Sequence, residues 1–201
     1  MGKKGMCLVV CLLLVVSVWT WGLLQDRQYL DRELIRLHIV ANSDSEWDQS
    51  VKLKVRDAII DSISADLENE GDVQSAKAYL RDNLSKIQTV ANKTLEAAGV
   101  DSQAVVTFCK EKFDIRKYDT FSLPAGVYNA LRVVIGDGQG KNWWCVAFPA
   151  LCTSATTDEF EAAAQTAGMD EGLSGTLSGD YQLRFYLLDA LGRLENCSLR
   201  E

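Results

Sequence analysis

The sequence predicts an α/β domain behind one apolar helix, with a small mixed sheet covered by helices in the order βααβββ(α)α. Three observations predict it. The first two dozen residues form an apolar run unlike anything that follows. Residues 46–99 carry apolar side chains at helical spacing, bounded by capping residues and glycine. Residues 34–41, 104–113, 128–135 and 142–148 are β-branched or alternating runs, the mark of strands. Helical and strand periods interleaved in one chain describe a sheet with helices laid over it.

At the start, Lys3 and Lys4 precede a run from Met6 to Leu24 interrupted only by small or aromatic residues. As a helix this run rises about 28 Å, close to the thickness of a bilayer core. A basic start and an apolar core read as a signal peptide or signal anchor over residues 1–24. Trp19, Thr20, Trp21 and Gly22 fit a small-x-small cleavage site poorly, which favours the anchor. The lysines stay in the cytoplasm and the remainder of the chain goes outside. Residues 25–33 are polar and read as a juxtamembrane linker or short helix. Residues 34–201 then make one exported domain.

Residues 34–41, LIRLHIVA, alternate as a strand, with Ile35, Leu37 and Ile39 on one face. Asn42, Ser43, Asp44 and Ser45 supply several possible N-caps, Ser43 with Glu46 making a capping-box pattern, and Trp47, Val51, Val55, Ile59 and Ile63 form the stripe of a helix that Gly71 stops. A second helix starts at Asp72, with Val73, Ala76, Leu80, Leu84, Ile87 and Ala91 at helical spacing and Gly99 as its end. Residues 104–113 are a strand and residues 117–124 an extended lead-in. Residues 131–152, LRVVIGDGQGKNWWCVAFPALC, read as a central hairpin around Gly136, Gly138 and Gly140. Leu131, Val133 and Ile135 share one face of it. On the return strand Trp144, Val146 and Phe148 oppose Trp143, Cys145 and Ala147. Both faces are apolar, so the pair should be covered on both sides. Residues 153–157 read as a turn, residues 158–167 as a short alanine-rich helix and residues 168–179 as a flexible loop. The tail from 181 to 194 reads as a helix, with a strand as the alternative because Tyr181, Leu183, Phe185 and Leu187 alternate.

Composition limits function. Without Lys3 and Lys4 the chain has 19 basic against 28 acidic residues, a charge of about −9. Such a surface repels phosphate backbones, which argues against nucleic acid. Of six cysteines, Cys109, Cys145, Cys152 and Cys197 lie beyond the apolar run. Cys145 and Cys152 bracket a turn at Pro149 that admits a local disulfide; the other reading is small buried thiols. No Cys/His spacing suggests zinc. Asn42, Ser43, Asp44, Glu46 and Asp48 fail the calcium-loop pattern because Trp47 stands at its glycine position. The glycine loop at residues 136–140 leads into a strand rather than a helix N-terminus, so it is a weak phosphate site. Hence no metal, cofactor or small-molecule substrate is expected. His38, the one histidine, is the sole candidate for imidazole acid–base chemistry, with Ser43 or Asp44 beside it in sequence. An exported hydrolase using His38 is therefore the alternative reading. A purely structural envelope protein is a third.

Two segments, residues 34–59 (LIRLHIVANSDSEWDQSVKLKVRDAI) and residues 123–152 (LPAGVYNALRVVIGDGQGKNWWCVAFPALC), resemble the stage II sporulation protein R family of endospore-forming bacteria. Their order, their spacing and the N-terminal apolar segment match as well. Ala150 departs from the pattern, which has a second proline after Pro149. The resemblance implies a signalling protein rather than an enzyme. It would be made in the forespore and exported into the space between forespore and mother cell. There it would trigger a membrane-embedded aspartic protease that processes pro-sigma-E. Candidate contact residues are the ends of the two segments: His38, Asn42, Asp44, Arg56, Asp57, Pro124, Gly126, Tyr128, Arg132, Asn142 and Trp143.

Overall fold

The computed structural model describes residues 3–118, 120–149, 165, 168–179 and 182–198. The described helices are α1 (Lys3–Glu33), α2 (Glu46–Glu68), α3 (Val73–Asp82), α4 (Leu84–Ala97), α5 (Glu171–Ser178) and α6 (Gln182–Ser198). The strands are β1 (Ile35–Val40), β2 (Ala104–Phe113), β3 (Arg116–Lys117), β4 (Ser122–Leu123), β5 (Gly126–Ile135) and β6 (Asn142–Phe148). The α/β class and the leading apolar helix are as expected.

The main sheet runs β2-β5-β1-β6. β1 lies parallel to β5 and antiparallel to β6, so the expected β5–β6 hairpin is split, with β1 in the gap. Two facts explain the insertion. Every residue of β1 is buried, which requires a central slot. The loop between β5 and β6 is long enough to cross two strand spacings of about 4.8 Å each, unlike a two-residue turn. It closes over the end of β1, with Gly140 N–H donating to Ala41 O at 2.9 Å and Gln139 N–H to Asn42 O at 3.0 Å.

One face of the sheet meets α2, α3 and α4. Ile35, Leu37, Ile39, Leu131, Val133 and Cys145 pack there against Val51, Val55, Ile59, Leu80 and Ile87. The other face meets the C-terminal part of α1 together with α5 and α6, through Leu30, Phe113, Tyr128, Val146, Leu173 and Leu188. Phe148 joins the first face rather than sharing a face with Trp144 and Val146, because the β1–β6 register skips Ala147 between Ile35 and Arg36. One extra residue in a strand reverses every side chain beyond it.

Several local expectations change. Residues 25–33 take the helical alternative rather than that of a linker: α1 continues unbroken to Glu33, and Asp26, Arg27 and Leu30 are buried in the domain. Ser45, not Ser43, caps α2 by accepting from Asp48 N–H at 3.1 Å. The second helical stretch is two helices that meet at Asn83; Asp72 and Gly99 bound it as expected, Gly99 at φ +73°. The lead-in at residues 117–124 is a small β3–β4 ladder. Residues 168–179, expected as a flexible loop, contain α5, capped by Asp170 and closed by Gly179 at φ +109°. Its Gly and Ser content follows from close packing, since Ser174, Gly175 and Thr176 are buried. The tail is helical, as expected. The turn and helix expected at residues 153–167 fall almost wholly outside the described residues.

Candidate functional site

The candidate residues separate into four places. At the carboxyl end of β1, Asn42 and Asp44 clasp the glycine loop. Asn42 Nδ2 donates to Asp48 Oδ2 at 3.0 Å, and its Oδ1 accepts from Asp137 N–H at 3.0 Å. Asp44 Oδ1 accepts from Lys141 N–H at 2.7 Å. Lys52, buried, donates to Lys141 O at 2.9 Å and Gln49 Oε1 at 2.6 Å. Gly140 approaches so closely that a Cβ there would lie 2.2 Å from Ser43 O. The Ser43 hydroxyl and the Asn42 amide hold the Asp48 carboxyl below its ordinary range. Burial lowers the Lys52 ammonium. These groups tie two loops together, and the resemblance's two segments meet here.

A second group sits on the face away from α2. His38 Nδ1 lies 2.9 Å from Glu111 Oε2, and its ring stacks on Trp144 with centroids 5.5 Å apart. Arg132 pairs with the other Glu111 oxygen at 3.4 Å, and Arg116 covers the Trp144 ring at 3.5 Å. Next to it Arg36, fully buried, donates to the Tyr118 hydroxyl at 2.7 Å and lies over the Phe113 ring at 4.1 Å. His38 and Arg132 therefore meet through Glu111. Ser43 donates instead to Asp48, so the histidine, serine and aspartate of the hydrolase reading are not assembled. Among the described residues no cluster of His, Cys, Asp and Glu is placed to hold a metal.

Pro124, Gly126 and Tyr128 form the third place, where α1 enters the domain. All three are buried. Tyr128 donates to Pro124 O at 2.6 Å, and burial pushes its phenol well above the ordinary value. Arg27 donates to Ala125 O at 2.9 Å and pairs with Asp31 at 2.6 Å and Glu195 at 2.9 Å. Gly126, at φ +157°, leaves room for that guanidinium: a Cβ would fall 1.5 Å from Arg27 Nη2. In this structure these residues build the α1 junction and expose little surface.

The fourth place is the outer flank of α2. Arg56 pairs with Asp57 at 2.6 Å and lies over Trp143 at 4.4 Å. Asn142 and Asp57 are exposed, Arg56 and Trp143 half-buried. Trp143 and Trp144 point to opposite faces, each packed against one core cluster. Trp47 is the residue that sequence periodicity misassigns. It is 54% exposed, with Lys54 at 5.5 Å from its ring, and does not belong to the buried stripe of α2. Its place in the first turn, two residues after the Ser45 cap, was the available signal. Cys145 is disulfide-bonded, while Cys109 and Cys197 are free thiols; Cys152 lies outside the described residues.

The family model described as Stage II sporulation protein R (spore_II_R) matches residues 31–158. A curated relative, "Stage II sporulation protein R" of Bacillus subtilis (strain 168), is 38% identical over 120 residues, which cover 60% of this chain and 54% of the relative. The match thus spans about half the length of that relative. No solved structure matches the chain. The matched residues hold α2–α4, all six described strands and the clasp, whereas α5 and α6 lie beyond them.

Proposed function

Because the chain belongs to the stage II sporulation protein R family, and so has a role in sporulation, we propose that it is the exported messenger of that process. In this reading it activates a membrane-embedded aspartic protease that processes pro-sigma-E and carries out no chemistry of its own. The observation that carries the reading is the family match across the sheet and its α2–α4 layer. The form of α1 supports it: the helix is long and apolar enough to cross a membrane, and its polar end is built into the domain. Activation requires the domain to bind the active arrangement of the protease more tightly than the inactive one. The surface best suited to that contact is the exposed Trp47 with Lys54 beside its ring, since an exposed tryptophan beside a cation makes a strong interface anchor.

The test is co-expression of this chain with the protease and pro-sigma-E in a non-sporulating host, scoring precursor cleavage. Cleavage that depends on this chain, survives His38→Gln and is lost in Trp47→Ala supports the messenger reading. Cleavage that is independent of the chain refutes it. Abolition by His38→Gln in a folded protein favours the hydrolase.

A further inference from the structure

The last described helix, α6, packs against α1 just past the end of the apolar run, and its contacts determine how it lies. Its two ends reach consecutive residues of α1. Arg184 pairs with Asp26 at 2.6 Å, and Glu195 with Arg27 at 2.9 Å. Arg184 and Glu195 are separated by about 16 Å of helix rise, but Asp26 and Arg27 by about 1.5 Å. α6 therefore crosses α1 steeply instead of running beside it.

The inner face of α6 seals one end of the sheet. Asp189 Oδ1 accepts from Ala125 N–H at 2.8 Å, and Asn196 Nδ2 donates to Phe113 O at 3.1 Å. A Cβ at Gly192 would lie 1.6 Å from Ala125 O. Ala125 immediately precedes β5, and Phe113 ends β2 opposite Gly126. This is the end from which α1 leaves, since Asn129 Nδ2 donates to Asp31 O at 2.9 Å. Leu183, Tyr186, Ala190 and Leu194 recur at helical spacing on the outer face. Leu183, Tyr186 and Leu194 are 68%, 63% and 66% exposed. Both carboxylates of α6 are paired with arginine, Asp189 with Arg193 and Glu195 with Arg27, which removes their repulsion from an anionic surface.

The level of this stripe follows from α1. The apolar run ends at Leu24, about 3 Å of helix rise before Asp26. Trp19 and Trp21, both exposed, stand at the same end, where interfacial aromatic residues gather. A helix about 10–12 Å wide that crosses at residues 26–27 with its inner face toward the sheet turns its outer face toward that boundary. We propose that α6 is a membrane-contact floor: Leu183, Tyr186 and Leu194 rest in the interfacial layer of the bilayer that α1 enters. The proposal rests on α1 spanning that bilayer. It fixes the domain upright, with the Asn42–Asp44 clasp and Trp47 directed away from the lipid.

The test uses the full chain in phosphatidylcholine nanodiscs, with Cys7, Cys11, Cys109 and Cys197 replaced by serine. One nitroxide is introduced at a time through Leu13→Cys, Asp137→Cys, Leu183→Cys or Leu194→Cys, and each labelled protein must keep the circular dichroism of the parent. Collision with oxygen, which partitions into lipid, is compared with collision with an aqueous nickel chelate. The expected result is an oxygen-to-nickel ratio at positions 183 and 194 several-fold above that at 137, approaching that at 13. A label at 13 in lipid with 183 and 194 as water-accessible as 137 overturns the floor while leaving the anchor. Labels at 183 and 194 shielded from both reagents show that protein covers the stripe, which also overturns it. A label at 13 that behaves like the one at 137 removes the spanning helix, and the floor with it.

Discussion

Ile35, Leu37 and Ile39 leave β1 toward one helical layer, and Arg36 and His38 leave it toward the other. The first layer is largely aliphatic, its two buried lysines, Lys52 and Lys77, each donating to a backbone carbonyl, and it comes from contiguous chain, α2 through α4. The second draws α1, α5 and α6 from opposite ends of the sequence and buries Asp26, Arg27, Arg36 and Asp189 among its apolar residues. Burial of apolar area holds the first layer and is tolerant of direction. The second relies on charges that are costly to bury unless each finds its partner. Arg27, for instance, needs Asp31, Glu195, Ala125 O and the space at Gly126 together. The lesson is that one sheet can have a face specified locally and a face specified only by the assembled chain.

The largest effect is expected in the first layer. Ile59→Ala, at a fully buried position, should cost about 2–5 kcal/mol and lower the denaturant midpoint of the whole domain. A change too small to resolve would mean that α2 is not anchored as described. Gly192→Val should act on the second layer alone. Its side chain would collide with Ala125 O, a misfit of about 1–3 kcal/mol. Hydrogen exchange should quicken in α5, α6 and residues 25–33 while α2 and α4 keep their protection. Uniform loss of protection would show that the two layers unfold as one.

Smaller effects sharpen the contrast at the far end of the sheet. The Asp48 carboxyl is held below its ordinary range by Ser43 and Asn42. Its contribution is therefore present in full above the usual carboxylate range and lost as the pH falls through the lowered value. Asp48→Asn should flatten the acid limb of the stability–pH profile and cost under about 1 kcal/mol at neutral pH. An unchanged acid limb would show that the clasp does not depend on that charge. Trp47→Ala should change stability by no more than about 0.5 kcal/mol, as exposed positions do, while abolishing precursor cleavage. Unimpaired cleavage would move the contact surface elsewhere.

What was readable from the residues matches this division. The α2 and α4 stripes, Asp72, Gly99 and the whole of β2 follow from local pattern, because each helix or strand there buries a face against its own sequence neighbours. The second layer was not readable in this way. Residues 25–33 look like a polar linker because Asp26, Arg27 and Asp31 are polar, yet Arg184, Glu195 and Ala125 neutralise them from far along the chain. Residues 168–179 look like a loop because glycine and serine are poor helix formers, whereas close packing needs small residues there. Of the candidate contacts, only Arg56, Asp57, Asn142 and the solvent edge of Arg132 and Trp143 face outward with Asp44; Pro124, Gly126 and Tyr128 are spent on the α1 junction.

Spacing and composition alone establish the apolar leading helix, the layered α/β class, the strands and the segments that carry the family. Those properties depend on periods of two and 3.6 residues and on uninterrupted apolar length, all visible within a short window. Strand order, the reversal of Phe148 and the burial of a charged helix end were decided by the tertiary structure. Each depends on which distant group supplies a hydrogen bond or fills a slot, and partners separated by most of the chain leave no periodic trace in it.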